Sequence, residues 1–253
     1  MSASDMSDEM HAKTSLLTFA AIGDLHVKEV LKEERTSRLR ELFAEISTKA
    51  DVLVLCGDLT DVGKPREAEI LAEDLHACSI PVVGVLGNHD YESGQVEEVK
   101  NILKAAGMHV LNGHSYEGNG GAFVGVKGFL GGFGHRMLAS FGEPVVKNLV
   151  AEAMSEAICL ENAMRAVRCE RAVVVLHYAP VQDTVEGEPP EIFPFLGSSR
   201  LGETIDRFEV SAVVHGHAHH GRYLGRTSRG APVYNVAAGI EKPSGRPYAL
   251  IKV

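Results

Sequence analysis

The sequence predicts an α/β fold built around a parallel sheet, and three observations carry that prediction. Short apolar runs at residues 16–22 (LLTFAAI), 51–56 (DVLVLC) and 80–86 (IPVVGVL) have strand length. Helical patterns separate them, so that strand, helix, strand, helix and strand follow in order, the pattern of parallel strands joined by right-handed crossovers. The 253 residues are enough to bury a full core in one domain.

Taken in order, residues 1–15 are polar and carry several acids, which predicts a disordered tail before a single domain over residues 16–253. That tail has no basic start followed by a long apolar stretch, so no signal peptide is expected. Residues 16–22 read as the first strand. Residues 33–48 place Leu39, Leu42, Phe43 and Ile46 on one side of a helix. After the strand at 51–56, residues 65–78 form a second helix on Ile70, Leu71 and Leu75. The strand at 80–86 and a helix at 94–106 complete the regular half. Beyond them, residues 122–126 and 171–176 read as strands, 143–168 as mostly helix, and 211–214, 232–237 and 248–253 as closing strands. Residues 128–142 are rich in Gly and Phe without a period. Residues 179–199, with three prolines after Pro180, read as a long loop.

Composition excludes several function classes. No apolar run approaches the ~20 residues needed to span a bilayer, so no membrane is expected. The 25 basic and 34 acidic residues give a net charge of −9, which repels a phosphate backbone and argues against a nucleic-acid partner. Cys56, Cys78, Cys159 and Cys169 form no CxxC pair and read as free thiols in a reducing compartment, which suggests the cytoplasm.

The chemistry concentrates where strands end. Asp24 and His26 form D-x-H after the first strand, and Gly57–Asp58 follows the second. Asn88, His89 and Asp90 (GNHD) follow the third, His177 follows RAVVVL, and His217 and His219 form GHAH. Ligands of open α/β sheets bind beyond the carboxyl ends of the strands, and core packing alone would not put polar clusters there. In an extended D-x-H, residues i and i+2 point to one side, so Asp24 and His26 can grip one ion together. His217 and His219 can do the same, or a turned geometry can split them between two ions. Carboxylate, imidazole and amide together suit Mn, Fe or Zn rather than calcium.

The ordered set D-x-H, GD, GNHD, H and GHxH resembles the calcineurin-like metallophosphoesterases, over Asp24 to His219. The texture GDLTDVGKPREAE followed by GNHDY is similar to a bacterial branch that includes class III cyclic-nucleotide phosphodiesterases. The resemblance implies a two-sheet β-sandwich flanked by helices, in four layers α/β/β/α. It implies two divalent or transition metal ions per chain: Asp24, His26 and His219 on the first, Asn88, His177 and His217 on the second, and Asp58 bridging both. His89 would face the substrate as general acid or as a stabiliser of transition-state charge, and Asp61 would orient it. Two ions ~3.5–4 Å apart can clamp an in-line displacement at phosphorus by a hydroxide held between them. The expected substrate is a small phosphoester, diesters favoured over monoesters. A nuclease of the same superfamily and a non-catalytic scaffold of this fold are the alternatives.

Neighbouring residues have plainer readings. His215 reads as structural at its strand end, and Asp90 as a cap or a support for a ligand. Tyr91 and Tyr178 read as packing, and Arg200 and Arg207 as solvated or ion-paired.

Overall fold

The computed structural model describes residues 16–29 and 38–253. The tail at residues 1–15 and the start of the helix expected over 33–48 lie outside the described residues.

Two sheets stack face to face. The first has the order β11 (Ala249–Lys252), β1 (Thr18–Ile22), β2 (Val52–Cys56), β3 (Val82–Val85) and β4 (Met108–Val110). β1 to β4 are parallel and β11 is antiparallel to β1. Helices α1 (Arg38–Ser47), α2 (Pro65–Leu75) and α3 (Val96–Ala105) supply its crossovers. The second sheet has the order β5 (His114–Gly118), β6 (Gly121–Gly125), β7 (Ala172–Val175), β8 (Ala212–His215), β10 (Pro232–Asn235) and β9 (Leu224–Arg226), with the two outer strands antiparallel. The long helix α4 (Pro144–Ala166), the single turn α5 (Phe193–Leu196) and α6 (Ser199–Ile205) complete the chain.

Strand periodicity builds the sandwich. Successive side chains of a strand point to opposite faces, so each buried run serves two layers. Phe19, Ala21, Val52, Val54 and Cys56 face the second sheet, where they pack with Phe123, Val173, Val175 and Val214. Phe19 and Phe123 meet edge-on with ring centroids 5.6 Å apart. Ala20, Ile22, Leu53 and Leu55 point the other way, onto Phe43, Ile46, Leu71 and Leu103 of the first helical layer. Val124, Val174 and Val213 do the same against Leu160, Met164, Leu201 and Ile205. Full burial of one such side chain contributes about 1.5–3 kcal/mol.

Four short elements depart from the sequence reading: β4, β5, β9 and α6. β4, β5 and β9 lie at sheet edges and keep one side open, as the exposed positions of β5 illustrate. They therefore lack a continuous apolar run. α6 follows the proline-rich segment and is capped by Ser198, whose hydroxyl accepts from Arg200 N. The segment read as a long loop also holds three short helical turns, including α5. The four cysteines are free. Among the described residues no helix is long and apolar enough to cross a membrane.

Candidate metal centre

The loops that leave β1, β2, β3, β7 and β8 converge. Asp24 and His26 come from the first, Asp58 and Asp61 from the second, Asn88 and His89 from the third, His177 from the fourth, and His217 and His219 from the fifth. Three groups of side chains bring candidate ligand atoms within 4.8 Å of one another: Asp24, His26 and His219; His26, Asp58 and His89; and Asp58, His177 and His217. Asp58 stands between the two ends. Its Oδ1 lies 3.4 Å from His177 Nε2, and its Oδ2 lies 3.9 Å from both His26 Nε2 and His89 Nε2. Asn88 Oδ1 joins the second end, 2.9 Å from His177 Nε2.

The local backbone is unusual. Among the described residues, five that are not glycine have positive φ: Asp24 (61°), His26 (44°), Asp58 (49°), His217 (70°) and Asn119 (53°). Four of the five are candidate ligands. Such conformations cost of order 1–3 kcal/mol each and persist only where the surroundings impose them. The extended D-x-H expected from the sequence is thereby corrected: Asp24 and His26 converge through left-handed turns. The turn at His217 splits the GHAH pair, sending His219 to Asp24 and His217 towards Asp58 and His177. Gly216 allows the close approach this needs, since a Cβ there would stand 2.6 Å from Asp24 Oδ2.

The placement of ring hydrogens suits these residues to cations. A carbonyl oxygen only accepts, so a ring nitrogen facing one carries the hydrogen. His177 Nδ1 faces Cys56 O at 3.0 Å, which leaves Nε2 bare in the neutral ring. Burial pushes the His177 pKa down to about 4, so the ring is neutral near pH 7. Its bare Nε2 is then directed at Asn88 Oδ1 and the Asp58 carboxylate, all of them electron-pair donors. Such a cluster is satisfied by a cation. The mixed N and O donor set suits a borderline divalent ion, and Asp24, His26 and His219 repeat the chemistry at the other end.

The carboxylates respond to one another. Burial and the neighbouring Asp24 charge raise the Asp58 pKa. Burial also acts to raise that of Asp24, but the hydrogen bond from His219 and the surrounding imidazoles bring it below its ordinary value. The same hydrogen bond, 3.1 Å long, raises the pKa of His219.

His89 holds its Nδ1 2.6 Å from the main-chain carbonyl of Asp61. The sequence reading assigned Asp61 the task of orienting His89, and the contact is made by backbone rather than by the carboxylate. The Asp61 carboxylate lies instead 3.9 Å from His26 Nδ1 and 3.7 Å from Lys28 Nζ. His26 Nδ1 is buried and has no hydrogen-bond partner.

The surroundings are held by buried polar groups. Asp90 accepts from Leu59 N, Thr60 N, Thr60 Oγ1 and Gly87 N, tying the loops after β2 and β3 together. His215 is fully buried, with Nδ1 against Gly216 O (2.7 Å) and Nε2 against Thr184 Oγ1 (2.8 Å), a structural pairing. Tyr178 packs against His217 with ring centroids 4.5 Å apart and the planes tilted by 53°, and burial pushes its phenol up to about 12. The sequence reading missed Asn235, whose buried amide donates to Ala218 O at 2.7 Å and so braces the GHAH turn. A polar residue closing the apolar run PVYN was the signal available. Lys127 is a nearly buried ammonium 4.7 Å from the Phe129 ring and 5.3 Å from the Tyr178 ring.

Solved structures share the architecture. A crystal structure of TT1561 of Thermus thermophilus aligns with a TM-score of 0.56 at 15% identity, covering 94% of this chain and 99% of that one. A hypothetical protein from the same organism aligns with a TM-score of 0.50 at 17% identity, covering 88% of this chain and 77% of that one. At these identities the likeness is one of fold. No curated protein matches the chain. The calcineurin-like phosphoesterase family matches residues 17–221, which contain every candidate ligand, and the chain belongs to that family.

Proposed function

We propose that this protein is a hydrolase of small phosphoesters that works with two metal ions, with phosphodiesters turned over at least as well as monoesters. The observation that carries the reading is the set of electron-pair donors gathered on both sides of Asp58. Asp24, His26 and His219 would hold one ion, Asn88, His177 and His217 the other, and Asp58 would touch both. Bound there, manganese, iron or zinc supplies charge neutralisation and an activated nucleophile.

The chain's own residues supply the remainder. The Asp61 carbonyl holds a hydrogen on His89 Nδ1, so donation to the leaving oxygen would come from Nε2 of the doubly protonated ring, leaving a neutral imidazole with its hydrogen on Nδ1. Its side chain is 42% exposed, open to a substrate, while that of Asp58 is buried. The diester preference rests on the similarity of GDLTD and GNHDY to the cyclic-nucleotide branch.

The small-substrate reading rests on charge. Lys127, Arg136, Arg200 and Arg207 are the basic residues that folding could gather into a phosphate track, and three of them are engaged elsewhere. Lys127 Nζ donates to Gly128 O, Arg200 to Leu138 O, and Arg207 to Glu161. A polyanion needs several unengaged contacts along one surface. Four cysteines that form no CxxC pair support a reducing compartment and so a cytoplasmic enzyme.

The test is a substrate panel on manganese-loaded protein at physiological salt: phosphomonoesters, phosphodiesters, cyclic nucleotides and DNA. Two ions per chain with turnover of the small diesters is the expected result. Higher kcat/KM on DNA would establish the nuclease reading instead. Two bound ions without turnover of any ester would establish the scaffold.

A further inference from the structure

The carbonyls of Pro194, Phe195 and Leu196 in the turn α5, and of Gly197 just after it, point to four different places. The last four carbonyls of any helix lack partners within it, and a one-turn helix has no others. Pro194 O accepts from Gly131 N (2.8 Å) and Leu196 O from Ala179 N (3.0 Å). Gly197 O, the next along the chain, accepts from Gly132 N (2.8 Å). Phe195 O alone among them meets a side chain, His217 Nε2, at 3.2 Å.

That contact decides which nitrogen of His217 can serve as a ligand. The Phe195 carbonyl cannot donate, so the ring hydrogen stands on Nε2 and the lone pair on Nδ1. Without such a partner an imidazole can turn over or change tautomer, and either change would put the lone pair elsewhere.

The carbonyl's own position is set by a small apolar cluster separate from the main core. Leu196 packs there with Phe133, Ala179, Val185 and Ala218, the last lying between His217 and His219 in sequence. The cluster joins the Gly/Phe-rich segment, the proline-rich segment and the GHAH turn.

We propose that the segment from Phe193 to Gly197 is the positioning element for the second half of the metal centre: it fixes His217 as an Nδ1 ligand through the Phe195 carbonyl, and Leu196 anchors it. The inference rests on the two-ion reading above. Outer partners of ligating histidines typically change metal affinity by about 10–100-fold.

The test uses full-length protein stripped with chelator and titrated with manganese by calorimetry, with bound metal counted by elemental analysis. Leu196→Ala removes the anchor. Gly197→Ala displaces the same segment by another route, because a Cβ at Gly197 would collide with the Ala179 carbonyl. Each should weaken one of the two ions by about 10–100-fold and leave the other unchanged. In the metal-free protein, imidazole 15N spectra should show His217 protonated at Nε2 in the wild type and a mixed tautomer in both variants. Leu201→Ala, an equal truncation in the layer beneath α4, should lower Tm and keep both affinities. The inference fails if two ions bind and the Leu196 and Gly197 variants match wild type, or if Leu201→Ala weakens the same ion equally. A wild-type chain that takes a single ion would overturn the two-ion reading itself, a distinguishable result.

Discussion

His89 and Asp61 are joined through the main chain, Nδ1 to carbonyl oxygen at 2.6 Å. Side-chain substitutions at Asp61 therefore leave that contact in place. His89→Ala should keep both ions and lose about 10²–10⁴ in kcat, the scale of a general acid. Asp61→Asn should lose far less, and its effect should appear in ion affinity on the His26 side, where the carboxylate points. Nitrophenyl esters, whose leaving groups need little protonation, should suffer less than alkyl esters from His89→Ala. Equal losses on both ester types would remove His89 from the acid role.

Among the described residues, Asp58 is the carboxylate that faces both ends of the site. Asp58→Ala should therefore lower occupancy of both ions together, whereas His219→Ala should spare the ion held by Asn88, His177 and His217. Elemental analysis after dialysis against micromolar manganese separates the two patterns.

Burial brings the pKa of His177, His215 and His217 down to about 4, from an ordinary 6.5. Each ring is neutral when folded and takes a proton when unfolded across that window. The unfolded state then binds more protons, so stability rises with pH between about 4 and 6.5 and is lost as pH falls through it. Each pH unit crossed is worth about 1.4 kcal/mol per histidine. His215 is the cleanest probe, because Thr184 and Gly216 hold it. In metal-free protein, His215→Gln should reduce the proton uptake on unfolding at pH 5 by about one relative to wild type. Urea midpoints measured from pH 4 to 7 give that slope.

The irregular segments 128–142 and 179–199 follow strands on the ligand-bearing side, and loops on a rigid scaffold often carry binding, so substrate choice should reside in them; within the second, Phe195 lets that role be separated from the positioning of His217. Its carbonyl faces the histidine while the residue as a whole is 59% exposed. Phe195→Ala keeps the carbonyl. It should preserve metal content and raise KM about tenfold for diesters with an aromatic substituent, which corresponds to about 1.4 kcal/mol of lost contact. KM unchanged across aromatic and alkyl diesters would place substrate recognition elsewhere.

Much of the centre was legible because its chemistry resides in side chains that have no business at the end of an apolar strand. Asp24, Asp58, Asn88, His177 and His217 each follow such a run. The parallel half of the first sheet was legible for the same reason, its runs being buried on both faces. Contributions made by backbone left no trace: the carbonyls of Cys56, Asp61 and Phe195 could belong to any residue type. The left-handed turns at Asp24, His26 and Asp58 were equally hidden, because tertiary contacts impose them on residues that would otherwise avoid them.

Asp24 and His219 touch across 195 positions of sequence. A site assembled over that span cannot exist in a half-built chain, since closing so long a loop is opposed by chain entropy until other contacts have formed. On the two-ion reading, metal capture should be one of the last events of folding, absent from the transition state. Ions would leave the refolding rate unchanged and slow unfolding, so a chelator shortens the lifetime of the native protein without hindering its formation. Stopped-flow refolding and unfolding limbs recorded with and without manganese should diverge on the unfolding limb alone.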